Sequence, residues 1–396
     1  MKTLTRTALL ATLLAYGPTL PAQDLTVVNA RIITTDATVI DNGHIVVRGG
    51  RIATVAAGAP AALSGSVVDA AGLTALPGFI DAHRHFNTGP NEREEMQAFL
   101  EAGYTTLLSG GGPADGNLVL RDRIERGEIN GPRILPSGRV SLAQTEEQAR
   151  AEVRSLAAQG VQFTGEITLT SFPGPSEQEL RVLRAILDEA GKVGVLVQVH
   201  AVSHQSTMAA VEAGVPLLVH VTNKNFLSRE MAERMAASGV KVLSTVGFGS
   251  PVFGIYADDN VPRFRNGEPW PSSIPATSRV PELDLGQEAG HAPVNARTLW
   301  DAGVVLGYCT DTQYAPLAGL AHELKILSVM FSPRDLLKML GPNTASYIQR
   351  GDDLGELSAG KLADIILLDG DPLAGYWEWL TTQVVIKEGR VVVDKR

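Results

Sequence analysis

Glu101-Ala-Gly-Tyr-Thr-Thr-Leu-Leu108 joins the end of a helix-like stretch to an apolar, β-branched run across a single glycine. A glycine just past a helix accepts the left-handed conformation that ends it. An apolar run directly behind it reads as a strand buried in a parallel sheet. The same joint recurs at Ala157-Ala-Gln-Gly-Val-Gln-Phe163 and at Glu189-Ala-Gly191 before Val195-Leu-Val-Gln-Val199. Further copies are Glu212-Ala-Gly-Val-Pro-Leu-Leu-Val219, Ala237-Ser-Gly-Val-Lys-Val-Leu243 and Asp301-Ala-Gly-Val-Val-Leu306. Six such joints, a strand ending at His85 and the run Arg133-Ile-Leu-Pro136 make eight helix-linked strands. That count predicts an α/β fold, a (β/α)8 TIM barrel over residues 73–350, with an open doubly wound sheet as the lesser alternative.

Outward from this middle, the pattern changes. Residues 23–72 alternate short β-like runs with the turn signals Asp41-Asn-Gly43 and Gly49-Gly50, and residues 351–396 do the same around Glu388-Gly389. Asn and Gly accept the positive φ of tight turns, so both ends read as hairpins. They predict one small β-sandwich domain built from both termini. Residues 1–22 differ again: Lys2 and Arg6 precede the apolar Ala8-Leu-Leu-Ala-Thr-Leu-Leu-Ala15, with Gly17, Pro18, Pro21 and Ala22 behind. This is the form of a cleaved signal peptide, too short for a permanent anchor, and it predicts an exported, periplasmic or secreted protein. After Leu243-Ser-Thr-Val246 the chain runs through Gly-, Pro- and Asn-rich sequence to about Gly290, a length expected of a functional loop.

Composition narrows the function classes. Hydrophobic residues at 44% and charged residues at 19% describe a globular chain. A net charge of −9 and the lack of a basic stripe argue against a nucleic-acid or anionic-membrane partner, and no stretch beyond residue 22 approaches transmembrane length, which argues against integral membrane association. The single cysteine, Cys309, excludes an internal disulfide and reads as a small core residue.

The strand ends carry the chemistry. Pro77-Gly-Phe-Ile-Asp-Ala-His-Arg-His-Phe86 closes the first strand on His83 and His85, two apart and therefore on one side. The fourth ends in Phe163-Thr-Gly-Glu166, the fifth in Gln198-Val-His200, the sixth in Leu218-Val-His220 and the eighth in Tyr308-Cys-Thr-Asp311. In a barrel these carboxyl ends converge on one face. Imidazoles with carboxylates suit zinc, manganese, iron or cobalt. Six donors exceed the need of one zinc ion, which predicts a two-metal site with a bridging carboxylate.

Those residues carry a resemblance to the amidohydrolase superfamily, in its imidazolonepropionase- and prolidase-like branch. The matching motifs are the Pro77–His85 run, Val199-His200, Val219-His220, Thr310-Asp311 and the tail Leu354-Gly-Glu-Leu-Ser-Ala-Gly-Lys-Leu-Ala-Asp364. The resemblance implies that His83, His85 and Asp311 hold one divalent ion, zinc being the first expectation, and His200 and His220 a second. It implies a bridge from the fourth strand, where Glu166 stands in place of the usual carboxylated lysine, one residue later than that pattern has it. It implies Asp311 as general base and acid for a hydroxide generated on the metal. The expected reaction is hydrolysis of an amide or cyclic amide, a dipeptide-like small molecule included. Deaminase, lactonase or ester hydrolase activity on the same site is the alternative within enzymes, and a silent binding protein the reading outside them. His204, Tyr256 and His291 are the candidate substrate contacts, and similar proteins often form homo-oligomers.

Overall fold

The computed structural model describes residues 23–86, 88–247, 285–312 and 314–396. Residues 1–22, with the expected signal peptide, lie outside the described residues, as does Tyr256. In chain order the first strands are β1 (Leu25–Ile33), β2 (Val39–Arg48), β3 (Arg51–Ala57), β4 (Ser66–Asp69) and β5 (Thr74–Pro77). The middle strands are β6 (Phe79–Arg84), β7 (Tyr104–Ser109), β8 (Arg133–Leu135), β9 (Ser137–Gly138) and β10 (Phe163–Thr164). They continue as β11 (Ile167–Thr168), β12 (Gln198–His200), β13 (Leu217–Leu218), β14 (Lys241–Leu243) and β15 (Val305–Gly307). The last are β16 (Ile365–Leu368), β17 (Thr382–Lys387) and β18 (Arg390–Asp394).

β1–β5 and β16–β18 form one eight-stranded sheet in the order β18-β17-β16-β5-β1-β2-β3, with β4 beside β1. Its inner residues, Val27, Ile45, Ile365 and Ile386 among them, are fully buried in a cluster of their own. The two chain ends are hydrogen-bonded into one mixed sheet, which by itself does not show the two layers of the expected sandwich. A partly buried ion network, in which Asp364 is buried and Glu388 partly exposed, ties it to the middle of the chain. Arg133 Nη1 donates to Asp364 Oδ2 at 2.8 Å, and Nη2 lies 2.5 Å from Glu388 Oε1. Removing Arg133 would leave the buried Asp364 charge uncompensated, which is why such pairs are costly to break.

The middle is a parallel α/β architecture. Its strands pair as β6-β7-β8, β9-β10 and β11-β12-β13-β14-β15, three parallel ladders rather than one closed sheet. The third and fourth predicted strands are each split, at Pro136 and at Gly165-Glu166, because proline lacks a donor for the ladder and Gly165 approaches Gly111 closely. The helix-ending glycines hold as read at Gly103, Gly160, Gly214, Gly239 and Gly303, all with positive φ. Gly191 does not end its helix. Glu177–Val193 runs on to Gly194, which takes the left-handed conformation at φ 77°. Ser176 and Glu179 open that helix as a reciprocal capping box. A helix at Leu285–Asp301 likewise begins within the segment read as loop to Gly290. No helix among the described residues is long and apolar enough to cross a membrane.

Candidate functional site

The strand ends bring His83, His85, Glu166, His200, His220 and Asp311 together. His83 Nε2 lies 3.7 Å from Asp311 Oδ1 and 3.9 Å from Glu166 Oε2. His85 Nε2 is 3.4 Å from Asp311 Oδ1 and 3.6 Å from Glu166 Oε1. Glu166 Oε2 also meets His200 Nδ1 at 3.0 Å and His220 Nε2 at 3.3 Å. Three groups have donor atoms mutually close enough for one ion: His83, His220 and Asp311; His83, His85 and Glu166; Glu166, His200 and His220. Glu166 belongs to two of the three, despite its displacement by one residue from the familiar pattern.

The chemistry of the donors fits a cation. Both ring nitrogens of His83 are buried without a hydrogen-bond partner. A buried polar atom left unpaired costs free energy comparable to a lost hydrogen bond. Two carboxylates facing four imidazoles supply the hard and borderline donors that divalent zinc, manganese, iron and cobalt accept.

Electrostatics agree with the crowding. Burial holds His83 and His220 below the usual imidazole range, so both are neutral and available as donors. Burial would raise the Glu166 carboxyl, but hydrogen bonds with His200, His220 and His85 outweigh it and hold it well below the carboxylate range. Burial pushes Asp311 up to about 7, with His85 pulling it down and the charges of Glu166 and Asp81 pushing it further up. A bound cation reverses that repulsion, because it becomes the largest local charge.

Two residues not singled out in the sequence shape this site. Asp81 is fully buried; its Oδ1 accepts from the backbone N–H of His83 and of Thr310, both at 3.1 Å, and its Oδ2 from Thr310 Oγ1 at 2.5 Å. It thereby sets the first strand's histidines against the loop bearing Asp311. Asp311 itself has φ 42°, an uncommon conformation for a non-glycine residue, and its N–H donates to His83 O at 3.1 Å. Gly110 is the second: a Cβ there would lie 2.7 Å from His83 Nε2 and 2.9 Å from His85 Nε2. The run Gly110-Gly111-Gly112 was the visible signal, since adjacent glycines mark close approach.

The candidate substrate residues fare unevenly. His204 is the first residue of the helix His204–Glu212, with its N–H donating to Asn225 Oδ1. His291 is buried in the helix Leu285–Asp301, its Nδ1 3.1 Å from Asn223 O and its ring edge-on to Phe226. Neither joins the donor groups above. Cys309 is buried, its Sγ 3.6 Å from Thr245 Oγ1, and burial pushes its thiol up, so the core role stands.

Behind the β14 end, buried Glu323 accepts from the N–H groups of Val246 and Gly247 at 2.9 and 2.7 Å. Burial pushes this carboxyl up to about 7, although Ser244, Gly247 and Val246 all donate to it. The folded chain thus keeps a proton that the unfolded chain, with its ordinary value of 4.5, has already released. Stability therefore falls as pH rises between those values and levels off above them. Against Glu323→Gln, the wild type should lose on the order of 2 kcal/mol of relative stability across that window. Urea midpoints of both proteins at about pH 5 and about pH 8 read this; an offset independent of pH would contradict it.

The profile of the amidohydrolase family matches residues 74–393. The chain is similar to the imidazolonepropionase of Streptococcus sanguinis (strain SK36), 25% identical, with 91% of this chain and 92% of that protein aligned. Among solved structures it resembles a putative prolidase from Bifidobacterium longum at 26% identity and TM-score 0.75, covering 95% of this chain and 97% of that one. It also shares its fold with a Xaa-Pro dipeptidase, at 21% identity and TM-score 0.73, covering 93% and 99%.

Proposed function

The chain belongs to the amidohydrolase family, and from that premise we propose that it is a metal-dependent hydrolase of a small amide, cyclic amide or dipeptide-like substrate. The observation that carries the metal is His83, whose two ring nitrogens are buried and unpaired while facing Glu166 and Asp311. The relatives support the bond: imidazolonepropionase and prolidase both act on carbon–nitrogen bonds. In this reading His83, His85 and Asp311 would hold one divalent ion and His200 and His220 a second, with Glu166 within reach of both groups. Zinc is the favoured ion, with manganese, iron and cobalt compatible.

A divalent ion bound there supplies a water of lowered pKa and a Lewis acid for the scissile carbonyl. The chain's own groups do the rest. Asp311 takes the water's proton at a carboxylate oxygen and returns it to the departing nitrogen. Asp81 and the His83 carbonyl hold Asp311 in place, and Thr245 Oγ1, 3.0 Å from His220 Nδ1, fixes the orientation of that ring.

The same proposal treats the three parallel ladders as arcs of one eight-stranded barrel. Its support is the bond from Ala82 N–H to Tyr308 O, which links β6 to the end of β15, and the Phe163–Leu196 bridge between the β10 and β12 segments. The charged start and apolar run of residues 1–22 support export.

The test is a hydrolysis screen of N-acyl amino acids, dipeptides, cyclic amides and lactones, with metal content measured in parallel. Amide cleavage that a chelator abolishes and zinc or manganese restores is the expected result. A purified protein that binds no transition metal and ignores chelator would sink the proposal. Glu166→Gln should cut bound metal by about half or more, since the bridging charge is lost.

A further inference from the structure

Beside Glu166 the strand ends leave a cavity of about 580 Å³, walled in part by Arg139, Val140, Leu142, Ile167 and Glu179. Val140 and Ile167 are buried, which gives the cavity an apolar wall next to Glu166, the one of the six donor residues that lines it. Its carboxylates are already committed. Glu166 is turned onto the imidazoles. Glu179 Oε1 accepts from Thr170 N and Oγ1 at 3.0 and 2.9 Å, and its Oε2 from Ser176 N and Oγ at 2.7 and 2.9 Å.

Arg139, exposed where it lines the cavity, is not committed. Among the described residues its guanidinium enters no ion pair and no side-chain hydrogen bond, and it is the only cation lining the cavity. Its place is nonetheless fixed by the backbone. Gly138 pairs with Thr164, and Gly165 N–H donates to Gly138 O at 2.7 Å, so Arg139 follows immediately on the ladder that delivers Glu166. The rim behind it is tied down by Glu152, whose Oε2 accepts from Ser141 N at 3.2 Å and from Gln144 Nε2 at 2.6 Å. A planar guanidinium left unpaired at the rim of an otherwise acidic site matches a carboxylate in two-pronged fashion.

We infer that this cavity is the substrate subsite and that Arg139 binds a carboxylate carried by the substrate. The enzyme then selects acidic amides, of the N-acyl amino acid kind, over counterparts lacking the acid. This rests on the hydrolytic reading above. The apolar wall takes the body of the substrate, the amide lies toward Glu166 and Asp311, and the acid points to Arg139.

The test uses the zinc-reconstituted holoenzyme, an N-acyl amino acid that it cleaves, and the matching N-alkyl amide without the carboxylate. Arg139→Gln should raise KM for the acid about tenfold or more with kcat within about threefold, and leave the decarboxylated analogue unchanged. Arg139→Lys should recover part of the loss, because a point charge remains without the planar fork. A wild type that cleaves acid and analogue equally well, or an Arg139→Gln variant unaltered toward the acid, would overturn the inference while leaving the hydrolase reading intact. If the wild type cleaves neither class, that reading fails instead, and calorimetric titration of the acid decides Arg139 alone. Binding weakened about tenfold by Arg139→Gln supports the subsite; unchanged or absent binding removes it.

Discussion

Replacing Asp311 by Asn is expected to lower kcat by about three orders of magnitude while most of the bound metal stays. The Asp311 carboxylate faces His85 Nε2 at 3.4 Å and both His83 Nε2 and His220 Nε2 at 3.7 Å. Asparagine keeps the size and one oxygen donor but cannot take a proton, so coordination and base catalysis separate in this variant. Metal analysis and turnover on one sample read the two effects independently. Wild-type turnover would remove the acid–base role, and complete loss of metal would make Asp311 a ligand first. The wild type should also show a rising limb in kcat/KM with pH, because the base works only when ionised. Burial places Asp311 at about 7 without a cation, and a bound ion lowers it, so the limb should fall below that value.

Gly110→Ala should be nearly as damaging, for a reason that involves no chemistry of its own. The added Cβ would sit 2.7 Å from His83 Nε2 and 2.9 Å from His83 Cε1. His83 is fully buried between neighbours and has nowhere to retreat. Its ring must tilt away from Asp311 and Glu166, and ligand geometry tolerates only small errors. We expect a loss of about a hundredfold in activity, with metal content cut and the far-ultraviolet circular dichroism unchanged. Retention of full metal and turnover would show that the cradle is wider than the contacts imply. An unfolded variant would be recognised by its spectrum, which separates a collapsed fold from a displaced His83 ring.

Much of this was legible in the sequence because the relevant signals are local. A glycine after a helix and an apolar run behind it announce a buried strand whatever surrounds them, and five of the six joints hold as read. The sixth misplaced its helix end by three residues because Gly194, not Gly191, takes the left-handed conformation. Histidines at strand ends were visible for the same reason: position along the strand decides where they point. What depended on contacts between distant segments was hidden. Nothing near Arg139 in the chain shows that it shares a cavity with Glu166 and Glu179. Asp81 was quoted within its motif, yet its bonds to Thr310 span 229 residues. His291 comes directly after the segment read as loop, and its burial in the helix Leu285–Asp301 against Phe226 depends on packing between distant segments.

The terminal sheet has a consequence for how the protein is made. β5 is bonded on one side to β1, only some 40 residues earlier, and on the other to β16, which follows about 290 residues later. At ribosomal rates of roughly 5–20 residues per second, β5 waits about 15–60 s for its second neighbour. During that interval Leu76 and Ala75 belong to an open edge, the kind of surface on which nascent chains mispair. The metal-bearing strands are synthesised within the same interval, so the donors can meet before the sheet beneath them is complete. A ribosome-stalled chain ending before Ile365 would therefore be the place to look for early metal capture and for chaperone dependence alike.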